Sequence, residues 1–426
     1  MKIQKIAHTC LILIFCFLGI SPALTHATST QAVFAKSKGA VVQIRVLDIA
    51  SGAQQSLGTG FHIGNGLYIT NYHVIADLLD KDQHLQTLAQ TFDKQEFELE
   101  LVTLDVVHDL AVMHARRANL PVITLASQEP ERGERLYSLG NPMDIGFTIV
   151  EGNYNGYVKG DPRKNIHFTG SLNPGMSGGP TITESGTVAG INVATSGDEV
   201  SYLVPAEYAK AMLERLPAKP KPATSIKALR KLVRDQLLAE QDRITQEFLA
   251  KPLKVTRLGS FNVPDSNVEW ITCWGNSRNT DSDLLKASQR RCTAGSAIYL
   301  DEDIQINSVG YLHSFLDGKK LHPLQFLHQY GDAYINSPDA GDNSDRINPA
   351  VCQQDFFRKD NIVFRGATCI RLYRDYPGLY NITFRAATQG SMHTGLITTL
   401  SMQGFSMANA KKMISRYVSS FQGAAK

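Results

Sequence analysis

"LNPGMSGGP", residues 172–180, sets a single serine among turn-forming residues: Pro174, Gly175, Ser177, Gly178, Gly179 and Pro180. Such a stretch is either a passive turn or the seat of a nucleophile. A serine hydroxyl attacks only when a base takes its proton, a carboxylate orients that base, and backbone donors receive the oxyanion. Suitable partners stand upstream. "YITNYHVIADLL" places His73 just after a predicted strand, and "DVVHDLAVMHA" places Asp109 just ahead of an apolar strand. The order His, Asp, Ser is one of the known arrangements of the triad.

Rival assignments for these residues are weaker. Of twelve histidines only His73 lies in a T-N-x-H-V context, while His108 and His114 read as surface or loop residues. Asp105 is near Asp109, but the D-L-A pattern favours Asp109, and Ser171 and Ser185 lack flanking glycines. G-M-S-G-G also fits the nucleophile elbow of α/β-hydrolases, with Asp375 and His393 as later partners. That elbow needs a helix directly after the serine. Pro180 and the β-branched run "TIT" (181–183) predict a strand instead.

Four blocks carry a wider likeness: "GTGFHIGNGLYITNYHVI", "HDLAVM", "LPVITLASQEPERGERLYSLGNPMDIG" and "GSLNPGMSGGPTITESGTVAGINVA". In order and spacing they resemble the trypsin-like serine proteases of the HtrA (DegP) group, over residues 35 to 208. The resemblance implies an all-β, chymotrypsin-like double β-barrel that cleaves polypeptide substrates. By it, His73 is the general base, Asp109 its orienting partner and Ser177 the nucleophile. Gly175 and Gly178 can take backbone angles closed to other residues, which lets the N–H groups of Gly175 and Ser177 converge as an oxyanion hole. Ser171, six residues before the nucleophile, falls where these enzymes place the floor of the primary pocket. "AGINVA" (189–194), with Asn192, Val193 and Ala194, falls on its wall. A pocket of this kind has no acid, so aliphatic or small uncharged side chains are expected there.

Two departures stand out. Met176 occupies the place where trypsin-like zymogens carry an aspartate, which excludes activation through a new N-terminus paired with that acid. The HtrA resemblance also implies a PDZ domain after the protease, and residues 217–426 show no such likeness. The family's homo-oligomers are therefore left open.

Composition agrees with an exported globular protein. The 426 residues are 43% apolar and 19% charged, ordinary values for a folded chain of more than one domain. Residues 1–27 read as a signal peptide, with Lys2 and Lys5 ahead of a short apolar run. Its loss would lower the net charge from +3 to +1, since it carries two lysines and no acid. No attraction to nucleic acid or an anionic membrane follows, and a periplasmic or secreted location is expected. Export places Cys273, Cys292, Cys352 and Cys369 in an oxidising compartment, where two disulfides are expected and the spacing fits no zinc motif. Three connectivities are open. No metal or organic cofactor is implied.

The chain divides by pattern into residues 28–216, the protease domain; 217–250, a Pro/Lys linker and amphipathic helix; and 251–426, a disulfide-containing α+β domain of unknown role. "LPAKPKPATS" (216–225) marks the boundary, with three prolines in ten residues. Ile226, Leu229, Val233, Leu237, Ile244 and Phe248 follow at helical spacing, a stripe that must be buried either on the barrel or on the second domain, the second domain being favoured. Every group the reaction requires then precedes residue 217. A serine endopeptidase is the expected function. The alternative is a chaperone-like or substrate-binding protein on a protease fold with negligible turnover.

Overall fold

The computed structural model describes residues 30–79, 84–116, 120–142, 145–195, 200–277, 279–295, 298–300, 304–335 and 346–423. The expected signal peptide lies outside them. Among the described residues no helix is long and apolar enough to cross a membrane.

After helix α1 (Thr30–Ser37), six strands close the first barrel: β1 (Val41–Asp48), β2 (Gln54–Gly64), β3 (Leu67–Thr70), β4 (Leu85–Gln90), β5 (Glu96–Asp105) and β6 (Leu110–His114). Their order around it is β1-β2-β3-β6-β5-β4. The β2–β3 turn is a hairpin through Gly64-Asn65-Gly66, with all three residues at positive φ. Short helix α2 (Tyr72–Ile75) and a 3₁₀ turn over Ala76–Leu79 follow β3.

The second barrel is built from β7 (Arg135–Gly140), β8 (Thr148–Tyr157), β9 (Ile166–Phe168), β10 (Pro180–Thr183), β11 (Val188–Thr195) and β12 (Ser201–Pro205), closed in the order β10-β11-β12-β9-β8-β7. Two closed six-stranded antiparallel barrels make the chymotrypsin-like architecture. Closure leaves neither sheet with a free edge. Helix α3 (Ala206–Glu214) packs back on β11 and β12 and ends this part.

Helix α4 (Ile226–Ala250) starts where the serine of the linker caps it: the Ser225 hydroxyl accepts from the N–H of Ala228 at 3.2 Å. Its apolar stripe divides. Leu229, Val233 and Leu237 complete the core of the first barrel beside Val42, Ile44 and Tyr68, while Ile244 and Phe248 enter a separate core. The expectation that the stripe packs on the C-terminal half alone is therefore corrected. At 25 residues the helix is long enough to serve both cores.

The separate core belongs to the α+β remainder. After β13 (Lys254–Leu258) and β14 (Phe261–Asp265), an antiparallel seven-stranded sheet forms from β15 (Ile271–Ser277), β16 (Lys286–Ala294), β19 (Val309–Asp317), β20 (Val351–Lys359), β21 (Ile362–Leu372), β22 (Tyr380–Thr388) and β23 (Thr394–Phe405). Between them lie the two-stranded pair β17 (Ile298–Tyr299) and β18 (Gln305–Ile306), and helix α5 (Pro323–Ile335). Helices α4 and α6 (Met407–Ser419) cover one face of the sheet. Disulfides join Cys273 to Cys292 and Cys352 to Cys369, each directly across neighbouring antiparallel strands, so the cysteines pair with their sequence neighbours.

Candidate active site

His73 enters on α2, immediately after the buried Thr70-Asn71-Tyr72 run. Its Nδ1 lies 2.6 Å from Oδ2 of Asp109, and its backbone N–H donates to Oδ1 of the same carboxylate at 2.9 Å. One carboxylate thus fixes both ring and main chain. Asp109 sits at φ +54°, a left-handed conformation that non-glycine residues seldom adopt. The Asn71 side-chain amide holds it there by donating to the Asp109 carbonyl at 2.8 Å. Asp105, the rival acid, turns the other way. Its Oδ2 is 2.8 Å from Nδ1 of His108, whose ring stacks on Tyr208 at 3.7 Å.

Ser177 comes from the second barrel, on the loop before β10, and the first barrel grips that loop by its backbone. The N–H of Thr59 donates to the Ser177 carbonyl at 2.8 Å, and the Thr59 hydroxyl donates to the Gly175 carbonyl at 2.7 Å. Gly175 has φ +92° and Gly178 φ +83°. A Cβ on Gly178 would stand 2.2 Å from the Thr59 carbonyl oxygen, so glycine is required by contact as well as by angle. Among the described residues, none of the hydrogen bonds uses the N–H of Gly175 or of Ser177. The Ser177 hydroxyl lies 3.4 Å from the Val193 carbonyl. Side-chain exposure is 28% for His73 and 18% for Asp109, so the pair is reachable yet partly shielded.

Two of the expected pocket residues are placed differently. Asn192 is fully buried and turned into the protein: its Oδ1 accepts from the hydroxyls of Ser138 and Thr181, and its Nδ2 donates to the carbonyls of Leu139 and Met176. It cannot line a pocket wall. Alternation along β11 sends its side chain under the nucleophile loop, where it supports Met176. Ser171 is exposed, whereas the floor of a recess would be covered. Val193 does face a cavity beside the triad. Ala194 continues β11 in register with Tyr202, and its side chain lies outside the described residues.

The sequence had not singled out Thr59, Asn71 or Asn192 as supports of the site. Thr59 and Asn71 stood inside the quoted blocks as a T-G and a T-N pair, and the Thr59-to-Ser177 contact spans 118 positions.

Comparison with known proteins gives the setting. Residues 58–191 match the family described as "Trypsin-like peptidase domain". A "Probable periplasmic serine endoprotease DegP-like" of Pseudomonas fluorescens is 34% identical over 173 residues, covering 38% of this chain and 35% of the relative. A protein of the same description from Chlamydia muridarum is 28% identical over 175 residues, covering 37% of this chain and 33% of the relative. The crystal structure of the serine endoprotease from Yersinia pestis aligns with 44% of this chain and 66% of its own, at 26% identity and a TM-score of 0.39. The chain spans about a third of the length of the curated relatives it matches. Within that span, around residues 58–191, the protein carries an HtrA-like, trypsin-like peptidase domain.

Proposed function

We propose that the chain is an exported serine endopeptidase, periplasmic or secreted, that hydrolyses peptide bonds of polypeptide substrates. The observation that carries this is the doubly anchored His73–Asp109 pair, set against a nucleophile loop whose backbone is clamped by Thr59. His73 takes the proton of Ser177 as its oxygen attacks the scissile carbonyl. Asp109 holds the imidazole in the tautomer with the proton on Nδ1, so that Nε2 is the atom that accepts the serine proton. The oxyanion formed is received by the N–H groups of Gly175 and Ser177. His73 then returns the proton to the leaving amine, an acyl-enzyme forms, and water repeats the sequence to release the acid. The pairing of the disulfides in the C-terminal sheet fits an oxidising compartment.

A fluorophosphonate probe and an unfolded protein such as casein test the proposal. Wild-type protein should be labelled on Ser177 and should digest casein, while Ser177→Ala should do neither and stay folded. Asp109→Asn should lower turnover by on the order of 10⁴, because the wrong tautomer is favoured. Digestion by Ser177→Ala at the wild-type rate would refute the assignment. Wild-type protein that binds casein with neither labelling nor cleavage would establish the chaperone-like alternative.

A further inference from the structure

A cavity of about 350 Å³ opens beside the triad, and two distant parts of the chain build it. Asp109, Val106 and Val193 form one side; Trp270, Thr272 and Tyr299, from the C-terminal half, form the other. The position is close to the chemistry, since Asp109 orients His73 and the Val193 carbonyl lies 3.4 Å from the Ser177 hydroxyl. We infer that this cavity is a substrate subsite: it takes one bulky, uncharged, largely apolar side chain flanking the scissile bond, and the C-terminal half supplies its outer wall.

The chemistry of the walls carries this choice. Some of their polar groups are engaged with one another or with neighbours. The Trp270 indole N–H donates to Glu247 at 2.9 Å, His108 is held by Asp105, and Arg163 stands 3.7 Å from Asp161. What remains facing the space is the valine surface of Val106 and Val193, the Trp270 and Tyr299 rings, and the exposed Thr272 and Lys159 at the mouth. A charged guest would lose water there, and the lining cation Lys159 stands exposed at the mouth, not inside the space. An aromatic or leucine-like guest gains by burial and by contact with the two rings.

The wall is also fixed in place. Gly160, at φ +75°, lies so close to the Glu269 carbonyl that a Cβ would stand 2.6 Å from that oxygen. The Gly295 N–H donates to the Trp270 carbonyl at 3.0 Å. The β8–β9 turn and the 269–270 segment are therefore in direct backbone contact, and the cavity is present before any guest arrives.

This inference rests on the peptidase reading, and the test keeps the two apart. Peptides of alanine and glycine with one Phe moved through the positions on either side of the scissile bond are assayed with the full chain. One placement should raise kcat/KM by about tenfold or more over the all-alanine peptide. Thr272→Arg, which fills the mouth, and Tyr299→Ala, which removes a ring, should bring that ratio near one. Both residues are exposed, so the fold should tolerate each change. No placement preference, or a preference that survives both variants, would overturn the subsite. Binding of the same peptides to Ser177→Ala protein, read through Trp270 fluorescence in a Trp274→Phe background, is independent of turnover. A Phe-dependent affinity abolished by Thr272→Arg in a chain that cleaves nothing keeps the subsite and removes the peptidase. Cleavage without that affinity does the reverse.

Discussion

The two barrels share a topology and divide the proposed triad between them, yet they differ in what completes them. The apolar core of the second barrel draws on residues before 217: Leu136, Tyr154, Ile166, Phe168, Leu172, Met176, Ala189 and Leu203 form one cluster, and Tyr137, Leu139, Ile182, Ile191 and Val204 pack with Val41, Phe61 and Ile69 of the first barrel. The first barrel is finished from elsewhere. Its core runs without interruption into Leu229, Val233 and Leu237 of α4, and on to Ile298, Leu300, Ile304, Tyr373, Tyr376 and Leu379. The proposed nucleophile Ser177 therefore sits on the half whose apolar clusters take nothing from later chain, while His73 and Asp109 sit on the half that later chain completes. Polar bonds follow the same division. The Tyr72 hydroxyl, next to His73, donates to the Leu300 carbonyl at 3.0 Å, and the Gln236 side chain clamps the backbone of Leu104 and Val106, just ahead of Asp109.

The largest expected effect comes from removing what completes the first barrel. A chain ending at Leu216 retains His73, Asp109 and Ser177 but uncovers the face of the first barrel that α4 and Ile298, Leu300, Ile304 and Ile306 bury. The sequence reading puts every reacting group ahead of residue 217, whereas the core of the first barrel draws on residues after it. Peptide hydrolysis should fall by about a hundredfold or more, because misplacement of a catalytic group by about 1 Å suffices for that. Fluorophosphonate labelling should slow with it. If the short chain is well folded and its kcat/KM stays within tenfold of the full chain, the contrast between the barrels is wrong.

Arg230 gives a smaller and sharper test. This α4 guanidinium is buried, donates through Nε to the Leu79 carbonyl at 2.6 Å, and bonds Asp375 at 2.7 Å through NH1. It thus closes the end of the turn that follows His73 and ties it to the C-terminal half. Arg230→Met keeps the hydrocarbon stem and removes both bonds, leaving Asp375 with Arg346 at 3.5 Å. Breaking a buried pair on one side costs about 3–5 kcal/mol, and Arg346 should hold the loss near the lower figure. At temperatures where the variant is folded, kcat should fall and KM should not, because the substrate-binding surface is untouched. Lys231→Met, one residue along on the exposed side, is the control and should change stability by no more than about 0.5 kcal/mol. Equal behaviour of the two variants would mean that Arg230 is an ordinary surface charge.

That pair of neighbours also shows where the sequence could be read and where it could not. The T-N-x-H, D-L-A and G-x-S-G-G patterns were legible because the chemistry constrains consecutive residues: a left-handed Asp109, and glycines at 175 and 178 with positive φ. Barrel closure was legible in outline, because short alternating strands and Gly-Asn turns are local signals. Arg230 was not, since a charged residue on an amphipathic helix reads as solvated, and its burial depends on Asp375, 145 positions away. Asn192 failed for a related reason. A polar residue in an otherwise apolar run near the nucleophile suggests a pocket wall, and only the four bonds it makes beneath the loop show its place.

The smallest effect concerns acid, and it separates the C-terminal sheet from the barrels. His313 is fully buried on β19 beneath α6. Its Nε2 donates to the Pro264 carbonyl at 2.9 Å, and its Nδ1 faces the Thr398 hydroxyl at 2.9 Å. Burial pushes its pKa down to about 4, against the Pro264 bond and the nearby Asp265 charge, while Arg290 adds to the lowering. The folded pKa lies below the unfolded one, so the neutral ring is the form that folding favours. Above pH ~6.5 neither state takes the proton and stability is unaffected. Between there and pH ~4 the unfolded chain binds a proton that the folded chain refuses, so stability declines as pH falls and levels off below. From pH 7 to pH 5 the loss is on the order of 2 kcal/mol. Both tryptophans, Trp270 and Trp274, lie in or beside this sheet, so urea unfolding followed by tryptophan fluorescence follows the sheet most directly. The midpoint should drop between pH 7 and pH 5. An unchanged midpoint, or a His313 ring that titrates near its ordinary value by NMR, would show that this buried histidine does not set the acid limit of the sheet that supports the first barrel.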